Sequence, residues 1–161
     1  MPSLVLFAVP RLRLLLFYWL PVVGWMALIF SASSDTMSFQ HSSRIIAPIL
    51  RFLFPHISEA LVNSIVFYIR KCAHLTEYAV LALLYWRALR AQSASYVPRV
   101  WNWRHARLTL LFVALYAASD EFHQSFVPSR QASVVDVLID TAGGTVGILV
   151  LWGIGRWRKR W

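Results

Sequence analysis

The chain has 161 residues, 58% of them hydrophobic and 14% charged, with a net charge of +9. A soluble domain carries about a quarter charged residues, and a chain this short has no interior able to hide so much apolar surface from water. An ordinary soluble domain is excluded, and a mean hydropathy of +0.56 points to lipid as the solvent.

In a soluble protein the positive charge would suggest nucleic acid. Here Lys and Arg flank apolar runs, so membrane lipids with anionic headgroups are the expected partner and nucleic acid is not. Cys72 is the single cysteine, so no intrachain disulfide is available. The fold class expected is all-α, one polytopic membrane domain over residues 1–161.

Crossing a bilayer takes about 20 apolar residues. Spans are placed near 14–31, 73–91, 107–127 and 134–155. The first holds Pro21 and Gly24, both tolerated in membrane helices. Arg11, Arg13 and the Ser31-Ala32-Ser33 end also fit a signal peptide. The length of the apolar run, and the ten residues before the first arginine, favour a retained helix.

The outer loop, 32–72, contains two amphipathic stretches. Ser43 to Phe54 carries Ile45, Ile46, Ile49, Leu50 and Leu53 on one stripe; Ser58 to Arg70 carries Leu61, Val62, Ile65, Val66 and Ile69 on another. Pro55 separates them. Two helices lying on or re-entering the outer leaflet are expected.

Orientation follows the distribution of Lys and Arg. With both termini in the cytoplasm, eleven of the 16 basic residues fall on the inner side. Trp86, Trp101, Trp103, Trp152, Trp157 and Trp161 collect near that inner interface, as an aromatic belt does. All seven acids, Asp35, Glu59, Glu77, Asp120, Glu121, Asp136 and Asp140, lie outside the cytoplasmic segments. Any chemistry therefore faces outward.

Three of the spans carry polar residues at their outer ends. His74 lies three residues before Glu77 and four before Tyr78, so these share a helix face. Asp120 stands in the same relation to His123 and Gln124, with Glu121 beside it. Asp136, Asp140, Gly143 and Gly147 form one stripe on the last span. The second and fourth spans run inward and the third outward, so these polar ends meet at one depth. An ionisable group at the centre of a span costs about 2.5–3.5 kcal/mol on insertion scales. A convergence of several demands mutual pairing, bound water or an ion.

Plainer readings stand beside this one. Ser133 to Asp136 fits a capping box. The Gly143 and Gly147 spacing fits close helix packing. Pro128-Ser129-Arg130 reads as a turn, with Arg130 paired to Asp120 or Glu121 or else gripping an anion beside the last helix's N-terminus. His74 and His123 fit hydrogen bonding across the bundle. Asp120, Glu121 and Asp140 are the hardest to assign to local structure. His41, His56 and His105 have no helical partner.

The motifs Lys71-xx-His74-xx-Glu77-Tyr78-xx-Leu81, Asp120-Glu121-xx-Gln124-xx-Val127-Pro128-x-Arg130, Ser133-xx-Asp136 and Gly143-xxx-Gly147 resemble the VanZ-like family of small membrane proteins. The resemblance covers residues 71 to 147, and the Ser31–Asp35 stretch matches only loosely. The family often has glycine at Ser129 and asparagine at Asp140, so this cluster carries an added carboxylate. The resemblance implies a multi-pass protein of the bacterial plasma membrane acting in the cell envelope. The family is named for a contributor to teicoplanin resistance, an antibiotic-resistance role.

Three functions fit these residues. The cluster binds a lipid headgroup, a lipid-linked envelope precursor or a glycopeptide through Arg130, Gln124, Asp136, Asp140 and Tyr78. Alternatively it is an enzyme on a lipid-linked substrate, with His74 or His123 as base and Glu77, Asp120, Glu121 or Asp140 orienting it or holding a metal. The third is a proton- or ion-coupled carrier using the acids as a relay. The sequence names no cofactor, metal or oligomeric state.

Overall fold

The computed structural model describes residues 8–33, 39–92, 100–127 and 132–161. Five helices follow in chain order: α1 (Ala8–Ser33), α2 (Phe39–Leu53), α3 (Glu59–Ala91), α4 (Trp103–Gln124) and α5 (Val134–Trp157). Among the described residues there is no strand, so the all-α expectation holds. Asp35 and Arg130 lie outside the described residues, as does the whole of the turn expected at 128–130.

The second amphipathic stretch of the loop is not a separate element. It is the first part of α3, which runs unbroken for 33 residues, about 50 Å at about 1.5 Å per residue. Neither glycine nor proline occurs between Glu59 and Ala91, so nothing stops the helix once it begins. Ser58 starts it, its hydroxyl accepting from the Leu61 amide at 3.3 Å. The first stretch does form its own helix, α2, which ends just before Pro55. It docks on the start of α3, with Ala47, Val62 and Val66 buried between them. A paired Arg51 and Glu59 join the two, at 3.0 and 2.8 Å.

Among the described residues, Leu12–Ser33 and Val134–Trp157 are long and apolar enough to cross a membrane. With such helices in the fold, the protein is membrane-associated. The apolar stretches of α3 and α4 are shorter, because charged residues occupy both ends: Lys71, Glu77, Arg87 and Arg90 in α3; Arg104, Arg107, Asp120 and Glu121 in α4.

α3 is the central helix and touches all four others. The core gathers Val22 and Ile29 of α1, Tyr78, Leu81, Ala82, Tyr85, Trp86 and Ala88 of α3, Ala106, Val113 and Ala117 of α4 and Ile148 of α5. Small residues set the closest approach. A Cβ at Gly143 would lie 2.5 Å from the Leu75 carbonyl oxygen, and one at Gly147 would lie 2.8 Å from that of Ala79. Close packing of α5 on α3 therefore explains both glycines.

At one end five tryptophans pack together. Trp86 stacks on Trp101 at 5.4 Å, Trp161 sits 5.3 Å from Trp101, and Trp103 lies 6.0 Å from Trp152. The Arg90 guanidinium covers Trp86 at 4.9 Å. Trp157 points away and is exposed. After α5 the chain doubles back through Lys159, whose φ of 51° is left-handed. The Arg160 amide bonds the Gly155 carbonyl at 2.8 Å, closing the helix as a Schellman turn does. The turn returns Trp161 to the knot, where its indole N–H donates to the Trp152 carbonyl at 3.1 Å.

Candidate functional site

The opposite end holds the polar cluster, and four helices build it. Asp120 of α4 and Asp140 of α5 are each 1% exposed. A carboxylate buried this deeply requires donors. One oxygen of Asp120, Oδ2, accepts from Ser33 Oγ at 2.6 Å, Gln124 Nε2 at 3.1 Å and Tyr78 Oη at 3.3 Å. One acid thereby ties α1, α3 and α4 together.

Asp140 faces α3. Its Oδ1 lies 3.5 Å from His74 Nδ1. One turn earlier on both helices, Lys71 donates to Asp136. Lys71 and His74 are three apart on α3; Asp136 and Asp140 are four apart on α5. These are the spacings that keep residues on one helix face, so the two contacts form successive rungs between α3 and α5. The outer rung is partly open, with the Lys71 and Asp136 side chains 24% and 29% exposed. His74 is half-buried, and Asp140 beneath it is closed off. Tyr78, one turn deeper on the same face of α3, meets Asp120.

Glu121 is buried and points to the start of α5, where its Oε2 accepts from the Ser133 amide at 2.8 Å. Ser133 in turn caps the helix, its hydroxyl accepting from Val135 at 3.2 Å. The capping box expected from Ser133 and Asp136 is thus not made: the Ser133 hydroxyl takes the Val135 amide, and the Asp136 amide bonds the Ser133 carbonyl at 2.9 Å. Glu121, from another helix, takes the return bond that Asp136 would have made. That leaves Asp136 for Lys71.

The remaining expected residues divide. Gln124 supports Asp120 rather than standing open to a ligand. Glu77 is half-buried, and its backbone carbonyl accepts from the Trp25 indole at 2.9 Å. His123 stacks on Phe30 of α1 at 4.0 Å, apart from the rungs. Among the described residues, no three His, Cys, Asp or Glu side chains come together as ligands for a metal ion would. Ser33 and Lys71 belong to the cluster although neither stood among the expected site residues. Lys71 had a signal, three residues before His74 on the same face. Ser33 had none, because only the fold brings it to Asp120.

Three buried polar atoms of this end have no hydrogen-bond partner among the described residues: Asp120 Oδ1, Asp140 Oδ2 and His123 Nδ1. Buried polar atoms are rarely left so. The model of the VanZ/LLP1 family matches residues 17–156. No curated protein and no solved structure matches.

Proposed function

The chain belongs to the VanZ/LLP1 family, and from that premise we propose that it is a four-span plasma-membrane protein with an outward-facing acid–base site for a lipid-linked substrate of the cell envelope. α1, α3, α4 and α5 are the spans, and both termini lie in the cytoplasm. Length supports this. From Lys71 to Arg90, α3 measures about 28 Å at about 1.5 Å per residue, close to the roughly 30 Å of a bilayer's hydrocarbon core. Leu111, Leu115 and Phe122 of α4 are exposed along one stripe, the face lipid would cover. The inner end carries the excess of Lys and Arg.

The single observation that carries the acid–base reading is the His74–Asp140 contact. A buried carboxylate against one imidazole nitrogen fixes the ring's orientation. With Nδ1 turned to Asp140, Nε2 is the atom that exchanges a proton with the substrate. Half-buried His74 sits at the level where headgroups meet the bundle. Asp120, held by Ser33, Gln124 and Tyr78, fixes the floor of the site. Glu121 and Asp136 hold the start of α5 in place.

The test uses purified protein in nanodiscs with total membrane lipid and a lipid-linked glycan precursor, read by mass spectrometry. Conversion of a headgroup that falls about 100-fold or more in His74→Gln and Asp140→Asn is expected. Retained binding of a precursor or of teicoplanin, with no conversion by the native chain, would replace catalysis with a binding role.

A further inference from the structure

Two oxygens at the polar end are acceptors without donors. Asp120 Oδ1 and Asp140 Oδ2 are buried and unpartnered among the described residues, and both side chains are 1% exposed. The three partners of Asp120 are neutral: a serine hydroxyl, a tyrosine hydroxyl and a side-chain amide. One cation and one imidazole face this group of acids, Lys71 on Asp136 and His74 against Asp140. Asp120 and Asp140 meet neighbouring turns of one α3 face, Asp120 Oδ2 at Tyr78 and Asp140 Oδ1 at His74.

From this we infer that the site takes a ligand bearing a primary ammonium group, which enters at the Lys71–Asp136 rung and donates to the open oxygens of Asp140 and Asp120. The inference deepens the acid–base reading and rests on it, because it names the class of headgroup. A neutral hydroxyl would supply one donor and no charge. An ammonium supplies three donors and a positive charge, matching two carboxylate oxygens that lack both. An anionic headgroup with no amine would meet these oxygens with repulsion.

The mouth of the site already holds such a group. The Lys71 ammonium rests on Asp136 and lies 5.4 Å from the Phe67 ring centroid. An alkylammonium between a carboxylate and an aromatic face is therefore at home one turn above the open oxygens. Two sources present this chemistry at the outer face: an aminophospholipid, and the free amine of a lipid-linked glycopeptide precursor.

Native mass spectrometry of the purified full chain separates them. The probes are phosphatidylethanolamine with its N-acetylated form, and an amine-bearing lipid-linked precursor with its N-acetylated form. A charge-assisted bond predicts that at least one free amine is retained about tenfold or more over its acetylated partner. The pair that shows the preference names the source. Asp140→Asn and Asp120→Asn each bring that preference to within about twofold. Acetylated and free forms retained equally by the native chain would overturn the inference, and that comparison needs no variant to fold. So would a preference that survives both substitutions. Conversion that still depends on His74 would leave the acid–base reading standing even then. Loss of conversion with the amine preference intact would sink that reading and keep this one.

Discussion

The two ends of the bundle are held by opposite kinds of interaction. At the aromatic end, Trp86, Trp101, Trp103, Trp152 and Trp161 make several overlapping ring contacts, and Arg90 covers two of the rings. Trp86, Trp101, Trp103 and Trp161 each touch more than one other ring, so losing one contact leaves another in place. At the polar end the bonds are directional and each has a named partner: Ser33, Tyr78 and Gln124 on Asp120, Lys71 on Asp136, the Ser133 amide on Glu121. Removing one member strands the others. Buried atoms without a partner among the described residues occur at both ends: the Trp86 and Trp101 indole N–H groups at the aromatic end, carboxylate oxygens at the polar end. The proposed function uses the end whose spare atoms are carboxylate oxygens, which can take a proton or a cation as an indole N–H cannot.

Substitutions at each end break the comparison in order of size. Asp120→Ala leaves three donors without an acceptor, two of them on other helices. It should cost about 3 kcal/mol, lowering the melting temperature in detergent by roughly 6–12 °C. Asp120→Asn keeps an acceptor and should cost much less. Trp161→Ala removes ring contacts with Trp86 and Trp101, at about 1.5 kcal/mol by the usual worth of aromatic pairs. It should leave any His74-dependent conversion unchanged, which separates anchoring from function. Lys159→Gly relieves a left-handed backbone and should stabilise by about 1 kcal/mol, seen as a higher melting temperature.

The smallest effect belongs to neither end. The hydrogen bond from Arg51 holds the exposed Glu59 carboxyl below its ordinary range. A lowered carboxyl pKa gives stability that is present above the ordinary glutamate range and lost as pH falls through the lowered value. Amide protection in α2, corrected for the intrinsic exchange rate, should therefore fall at acid pH, and Glu59→Gln should abolish that dependence. Salt should weaken the native pair's effect, since both side chains are exposed.

Much of this architecture was legible in the sequence. The apolar runs gave α1 and α5 nearly to their ends, and Pro55 marked the stop after α2. The i, i+3 and i, i+4 spacings placed His74 with Tyr78, Asp120 with Gln124 and Asp136 with Asp140. What stayed hidden was long-range. A stripe at Leu61–Ile69 reads as a surface helix whether or not it continues into a span, and only the absence of a breaker before Lys71 argues for continuity. Glu121 caps a helix it does not belong to, so its bond to Ser133 had no local signature. Ser33 looks like the polar end of an apolar helix until the fold sets it on Asp120. His123 shares a sequence face with Asp120 and both meet α1, Asp120 at Ser33 and His123 at Phe30, a pairing with no signature in α4 alone.

The central claim is that His74 and Asp140 act as one unit. Nitrogen-15 NMR of histidine-labelled protein in nanodiscs tests it most directly. The account predicts that Asp140→Asn shifts the His74 ring resonances and changes their titration while those of His123 stay put. Unmoved His74 resonances in that variant would contradict it.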